Sequence, residues 1–192
     1  LIIDLSRMNS LLKINPARKT AHIQTGVTVE QLNDELEKFD LEFPVEPLFP
    51  EIQTIGGLMA LNCPGDRELK YGPILNWVDS IEIITDKGEV KDFSKSEATD
   101  FVGLEGTTGI IASAKLRLIS KRQRTISILR SIIFEELLQL SKKLKLNQEV
   151  SMILLIGKKL ASMSGLEGKY HLLVEFESNR GTMKNQEYDH II

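Results

Sequence analysis

The chain has 192 residues, of which 42% are hydrophobic and 27% charged, and its formal net charge is −3. This balance is typical of a soluble globular protein with one medium domain, or with one domain and part of a second, and it excludes a disordered chain. Because acidic residues outnumber basic ones, non-specific nucleic acid binding is also excluded.

The cysteine and histidine content excludes further kinds of site. Cys63 is the single cysteine, so no internal disulfide can form, and a reducing compartment, the cytoplasm, is predicted. The three histidines have no ligand-like spacing, and no metal site is predicted. The longest apolar run, residues 152–157, is far too short to span a bilayer, so no transmembrane segment is predicted.

The first third of the chain carries strand, hairpin and helix signals. Residues 1–6 have the pattern of a buried strand, and residues 11–14 and 20–25 form a predicted hairpin around an Asn-Pro turn. Thr28 and Gln31 have the spacing of a capping box. The helix that follows is predicted from an apolar stripe at helical spacing, formed by Val29, Leu32, Leu36 and Phe39.

The middle of the chain is irregular and then returns to strands. Pro44, Pro47 and Pro50 predict an extended segment, and a short helix is predicted after Gly57. Two strands flank an Asp-Lys-Gly turn at residues 86–88, and another strand is predicted over residues 111–118.

The pattern changes after residues 120–124, where we place a domain boundary. A strand, a helix over residues 134–146 and two more strands follow, and residues 185–192 have the pattern of a second helix. This order predicts an α+β fold with helices on one face of a sheet. The predicted domains are residues 1–120 and 121–192.

Two glycine-bearing segments carry the clearest chemical signal, "TIGG" at residues 54–57 and "GLEGTTG" at residues 103–109. Consecutive glycines let backbone N–H groups converge on an anion, and a helix starting after Gly57 would add a partial positive charge there. Glycines of this kind also serve simply as tight-turn residues. No nucleophile motif is present, so the catalytic residues stay unknown.

Four segments in order resemble a known family: "LIIDLSRMNSLLKINPARKTAHIQTGVTVEQLNDEL", "FPVEPLFPEIQTIGGLMALNCPGDRELKYG", "VDSIEIITDKGEV" and "GLEGTTGIIASAKLRL". They are similar to the PCMH-type FAD-binding domain of the vanillyl-alcohol-oxidase flavoproteins, in the branch that contains glycolate oxidase, D-lactate dehydrogenase and D-2-hydroxyglutarate dehydrogenase. The resemblance covers about residues 1–119. It implies an incomplete FAD-binding domain followed by the start of a ferredoxin-like α+β cap.

The resemblance implies FAD as the cofactor, held mainly by backbone. The residues that it places at FAD are Pro47, Thr54, Ile55, Gly56, Gly57, Asn62, Glu105, Gly106, Gly109, Ile110 and Ile111. Arg67, Lys70, Tyr71 and Gly72 match a family motif, and two roles stay open for their side chains: bracing the loop or contacting the ligand.

The chain also departs from the family pattern. The family's glycine-rich pyrophosphate loop lies just before the strand that matches residues 1–6, and this chain does not contain it. Relatives have the sequence N-A-G-G where this chain has N-C-P-G at residues 62–65. They also have a serine where this chain has Leu104. Because Pro64 has no N–H, one anion contact is lost. The metal- or substrate-binding histidines of relatives belong to a later region.

Two hypotheses follow. The first is an FAD-dependent oxidoreductase, or a fragment of one, that oxidises a small 2-hydroxy acid such as glycolate or D-lactate by hydride transfer. The second is a divergent, non-catalytic relative or partner subunit that binds FAD weakly or not at all. A homo-oligomer or a partner subunit is possible in either case.

Overall fold

A computed structural model describes residues 3–179. It divides the chain into two compact units, Leu1–Lys121 and Arg122–Ile192. The boundary between Lys121 and Arg122 falls inside the segment 120–124. Ser120 ends one strand and Arg122 begins the next, so the basic run is mostly strand.

The first unit is built on a five-stranded antiparallel sheet with the strand order β1-β2-β6-β4-β5. Helices cover one face of this sheet, and a two-stranded ribbon of β3 and β7 lies beside it. The elements are β1 Leu11–Asn15, β2 Thr20–Gln24, α1 Val29–Glu37, β3 Leu41–Glu42, α2 Ile55–Leu61, α3 Glu68–Tyr71, β4 Val78–Ile84, β5 Val90–Ser94, β6 Ile110–Arg117 and β7 Ile119–Ser120.

The capping box predicts the start of α1 correctly. Thr28 accepts a hydrogen bond from the Gln31 N–H, and the Gln31 side chain accepts from the Thr28 N–H. Val29, Leu32 and Leu36 are buried as predicted. Phe39 is not, because the helix ends at Glu37 and leaves the Phe39 ring 43% exposed.

The strand predicted over residues 1–6 is wrong for the part that the structure describes. Residues 3–6 are irregular, and a turn follows in which the Met8 N–H donates to the Leu5 carbonyl at 2.8 Å. The Asp4 carboxylate accepts from the Ser6 N–H, which also favours a turn over a strand. This turn lies against Gly26, where a Cβ would approach the Leu5 carbonyl oxygen to 2.5 Å.

The sheet of the first unit has an apolar and a polar face. Alternate residues of β2, β4 and β6 are buried against the helices, among them Ile23, Ile81 and Leu116. Leu32, Leu36, Leu58 and Met59 close this core from the helical side. The other face is polar and carries His22, Glu82 and Lys115.

The second unit has a three-stranded antiparallel sheet in the order β8-β10-β9. Its elements are β8 Arg122–Ser131, α4 Phe134–Leu144, β9 Val150–Ile156, α5 Lys158–Met163 and β10 Tyr170–Asn179. α4 packs on the sheet through Leu137 and Leu144, against Leu172, Val174 and Phe176. The sequence pattern does not predict the short α5, and the helix predicted over residues 185–192 lies outside the described residues.

None of the helices within residues 3–179 is both long enough and apolar enough to cross a membrane.

Candidate cofactor site

The helix α2 carries the "TIGG" segment, and it starts earlier than predicted. Thr54 is its N-cap, and the Thr54 hydroxyl accepts a hydrogen bond from the Gly57 N–H at 3.2 Å. The N–H of Ile55 donates to the Val27 carbonyl at 2.9 Å, and that of Gly56 to the Thr25 carbonyl at 2.8 Å. The first three N–H groups of α2 therefore have partners within the chain, and the prediction that they converge on an anion is wrong.

The two glycines of α2 differ in their surroundings. A Cβ at Gly56 would lie 2.7 Å from the Thr25 Cβ and 3.0 Å from the Thr25 carbonyl oxygen. At Gly57 the nearest atom would be the Thr54 hydroxyl oxygen, at 3.3 Å. Gly56 is thus explained by close packing of α2 on the end of β2, whereas Gly57 is exposed.

The second glycine-bearing segment, residues 103–109, binds the carboxyl end of α2. The Gly103 N–H donates to the Met59 carbonyl and the Glu105 N–H to the Ala60 carbonyl, both at 2.9 Å. These bonds satisfy carbonyls that the last turn of a helix leaves without an intrahelical partner. They also place the loop that contains Glu105 and Gly106 beside Asn62, whereas residues 54–57 lie at the start of the same helix.

The loop itself turns through left-handed backbone. Glu105 has φ +52° and Gly106 has φ +76°. A Cβ at Gly106 would meet no atom within 4 Å, so this part of the loop faces open space. Its glycine is required by the backbone conformation and not by packing.

Asn62 ends α2 in the left-handed conformation, with φ +46°. A Cβ at Gly103 would lie 3.1 Å from the Asn62 Cβ, so Asn62 lies directly under the docked loop. Within the described part of the chain, the Asn62 Oδ1 atom is buried and accepts no hydrogen bond. A buried acceptor without a partner costs about 1–3 kcal/mol, which a bound donor would offset.

Thr25 joins the start of β6 to α2. The sequence pattern did not predict a role for this residue. The buried Thr25 hydroxyl donates to the Ile111 carbonyl at 2.5 Å, while the Thr25 carbonyl accepts from Gly56. Ile111 is only 7% exposed and belongs to the core, so the structure leaves its contact with a cofactor as a prediction. Ile110 is half-buried, and Gly109 has φ +154° with its Cα against Ile83.

The segment around Pro47 is attached to the residues that follow α2. Pro47 is buried, and the neighbouring Glu46 forms an ion pair with Arg67. The Asp66 N–H donates to the Glu46 carbonyl at 2.8 Å, and a Cβ at Gly65 would lie 2.7 Å from the Glu46 nitrogen. For Arg67, the structure therefore shows the bracing role.

Gly72 also has a structural explanation. It has φ +69°, and a side chain there would collide with the Asn76 amide. The Trp77 indole N–H donates to the Tyr71 carbonyl at 3.0 Å, and the two rings pack edge to face with their centroids 5.7 Å apart. The segment after α3 is thus held by its backbone against the start of β4.

The arrangement can be tested for its fit to FAD. Asn62 presents a buried acceptor without a partner, which suits a hydroxyl or N–H donor of a cofactor. Leu61, in the last turn of α2, is 59% exposed, and Leu104, in the docked loop, is 41% exposed; both provide apolar surface for a ring system. The residues present therefore fit the cofactor, with backbone, one amide and apolar side chains as the contacts.

Comparison with known proteins identifies the first unit. Residues 1–94 match the family described as "FAD binding domain". The chain is 32% identical over 133 residues to a D-2-hydroxyglutarate dehydrogenase of Stutzerimonas stutzeri, covering 65% of this chain and 28% of that protein. It is 32% identical over 138 residues to the glycolate oxidase subunit GlcD of Bacillus subtilis, covering 67% of this chain and 29% of that protein.

A third relative extends into the second unit. A D-lactate dehydrogenase of Archaeoglobus fulgidus is 29% identical over 197 residues, covering 93% of this chain and 44% of that protein. The chain thus spans less than half the length of the relatives that it matches.

Solved structures support the fold. An alkyldihydroxyacetonephosphate synthase superposes with a TM-score of 0.77 at 21% identity, covering 92% of this chain and 40% of that structure. A second crystal form of that enzyme gives a TM-score of 0.74 at 22% identity. The predicted α+β fold is confirmed, and the family match confirms the prediction of FAD as the cofactor. Over residues 1–94, just under half of its length, the chain is thus similar to the FAD-binding domain family.

Proposed function

We propose that this chain forms the FAD-binding part of an FAD-dependent oxidoreductase that oxidises a small 2-hydroxy acid. Three relatives support the proposal: they are named for D-2-hydroxyglutarate, glycolate and D-lactate, which are all 2-hydroxy acids. The structural observation that carries it is the pair of backbone hydrogen bonds from Gly103 and Glu105 to the end of α2. They hold the loop of Glu105 and Gly106 on the end of α2, the helix whose start carries residues 54–57.

In this function, bound FAD would accept a hydride from the α-carbon of the substrate. The chain's own residues hold and orient the cofactor. Asn62 offers a buried acceptor at the end of α2, and Leu61 and Leu104 would lose exposed apolar surface and exclude water on binding. The ion pair of Arg67 with Glu46 fixes the segment that carries Pro47.

A second candidate is a non-catalytic relative or partner subunit that binds FAD weakly. It is favoured by the internal partners of the first three N–H groups of α2 and by Pro64, which has no N–H to donate. With those donors unavailable, the described residues offer a diphosphate fewer backbone contacts than the glycine pattern suggested.

Absorption spectroscopy of the purified protein separates these candidates. The oxidoreductase proposal predicts a yellow protein with flavin absorption bands, bleached under anaerobic conditions by one of the three acids glycolate, D-lactate or D-2-hydroxyglutarate. A protein that takes up FAD but is not bleached by any 2-hydroxy acid contradicts the oxidoreductase and supports the second candidate. A protein that stays colourless after incubation with FAD contradicts the first candidate altogether.

The proposal also covers the cellular compartment of the protein and its assembly with other chains. The single cysteine supports the cytoplasm as the compartment. A partner subunit or a second copy of the chain is the proposed assembly, and size-exclusion chromatography with light scattering measures it.

A further inference from the structure

The polar face of the five-stranded sheet carries a groove of ≈ 300 Å³. Core residues of the same strands point the other way, toward α1 and α2, so the groove lies on the face opposite the cofactor segments. The volume is at the lower end of the range for ligand sites and suits a small molecule. None of the residues proposed to contact FAD lines this groove.

One row across the groove is basic. Lys13 on β1 pairs in register with His22 on β2, and His22 pairs with Lys115 on β6. Side chains directly opposite on one face of a sheet lie about 5 Å apart at Cβ. Two ammonium groups therefore flank one imidazole, with no carboxylate in their row.

His22 is held in place from below by a chain of hydrogen bonds. Its Nε2 atom lies 3.1 Å from the Ser113 hydroxyl oxygen, and that hydroxyl donates to the Glu82 carboxylate. Since the Ser113 proton points at Glu82, the oxygen accepts from His22 Nε2–H. Ser113 is only 2% exposed, so this floor is built into the sheet.

The cations of the groove have no partners within residues 3–179. Among the described residues, no hydrogen bond or ion pair involves the side chains of Lys13, Lys115 or Arg18, which lies at the rim in the β1–β2 turn. Other cations of the same unit do have carboxylate partners, namely Arg67 with Glu46, Lys91 with Glu89, Arg117 with Asp79 and Lys121 with Glu37. A protein of net charge −3 that leaves three cations together and unpaired has a local excess of positive charge there.

The two acidic residues of the groove limit how much negative charge a ligand can carry there. Glu82 and Asp92 lie in the adjoining row, so the groove has three cations against two carboxylates, a net charge of +1. A polyanion would meet repulsion from these carboxylates, whereas a small anion can stay in the basic row.

We propose that this groove binds a small anion of the carboxylate or phosphate class, held between Lys13 and Lys115 and next to His22. The bound oxygens would relieve the repulsion between the two lysines and accept hydrogen bonds from their ammonium groups. Because the groove lies across the sheet from the cofactor segments, binding does not depend on FAD or on the proposed oxidoreductase activity.

The histidine signals in NMR spectra of the protein give a direct test. The chain has three histidines, and the spectrum of His22→Gln identifies the His22 imidazole signal by its loss. Phosphate, succinate and chloride are titrated in turn at constant ionic strength and pH. The proposal predicts a saturating shift of the His22 signal with phosphate or succinate and none with chloride, and the anion that binds more tightly identifies the class.

Charge variants complete the test. Lys115→Gln is expected to weaken the anion about tenfold, since a charged hydrogen bond is lost. Lys87→Gln, in the exposed β4–β5 turn, removes the same charge outside the groove and is expected to leave affinity unchanged. A non-saturating shift shared with chloride, or equal affinity in the two variants with unchanged melting temperatures, would overturn the proposal.

Discussion

The two glycine-bearing segments of the first unit, residues 54–57 and 103–109, look alike in sequence, but their glycines are required for different physical reasons. In α2, Gly56 has ordinary helical backbone and is small because Thr25 leaves no room for a Cβ. In the loop of residues 103–109, Gly106 has room on every side and is a glycine because its φ is +76°. One segment is packed inward and the other is open, which predicts that only the loop adapts to a ligand.

Substitution of Gly56 gives the largest expected effect. Gly56→Ala should lower the free energy of unfolding by about 2–3 kcal/mol, because the new methyl group overlaps Thr25. Urea unfolding followed by the fluorescence of Trp77, the single tryptophan and a residue of the first unit, measures the change.

Gly57→Ala is the matched control for that variant. Both positions lie in α2, so both variants gain the same helix propensity of about 1 kcal/mol. The added methyl group at Gly57 meets only the Thr54 hydroxyl, at 3.3 Å, so this variant should be neutral or slightly stabilised. Equal stabilities of the two variants would show that α2 is not packed tightly on Thr25.

Thr25 connects α2 to the start of β6, the strand that follows the loop, and its hydroxyl is the next most sensitive group. Thr25→Val keeps the size of the side chain but removes the donor to the Ile111 carbonyl, at an expected cost of about 1–2 kcal/mol in the free energy of unfolding. Thr25→Ser keeps the donor and loses one buried methyl group, at a cost of about 0.8 kcal/mol. If the valine variant proves the more stable of the two in urea, the hydroxyl does not join these elements.

The loop of residues 103–109 should tolerate a larger side chain at Gly106 but not a residue that disfavours left-handed backbone. Gly106→Ala is expected to lose about 1 kcal/mol of stability although no atom lies within 4 Å, because an L-residue is strained at this φ. Gly106→Asn adds a larger side chain but tolerates left-handed backbone, so it should lose less. Greater damage from asparagine than from alanine in thermal unfolding would mean that the loop is packed and not open.

The elements predicted well are those whose signals are local. The capping box of Thr28 and Gln31 and the Asp-Lys-Gly turn depend on residues a few positions apart, and both occur where the sequence placed them. The apolar pattern of residues 3–6 predicts a strand, but no neighbouring strand accepts them, and local hydrogen bonds favour a turn. The predicted burial of Phe39 is wrong for a similar reason, because α1 ends two residues before it.

The candidate site was predictable only in part. The resemblance selected residues 54–57, at the start of α2, and residues 105–106, in the loop that the structure attaches to the end of that helix. Thr25 and Val27 could not be found from spacing, because each accepts a hydrogen bond from a residue about 30 positions further along the chain. The glycine pattern alone suggested free N–H donors, and these long-range partners are what removes them.

Asn62 gives the sharpest test of where the two segments meet, with the smallest expected change in stability. Asn62→Gly keeps the left-handed backbone and removes the buried Oδ1 atom that has no partner within residues 3–179. The relief of that acceptor is opposed by the greater backbone freedom of glycine in the unfolded chain, so the net change in stability should be small. FAD affinity should fall about tenfold if that oxygen accepts a hydrogen bond from the cofactor. Fluorescence titration with FAD measures the affinity, and Asn62→Asp, which keeps an acceptor oxygen, serves as the control. Wild-type affinity in the glycine variant would show that the Asn62 oxygen does not bind the cofactor.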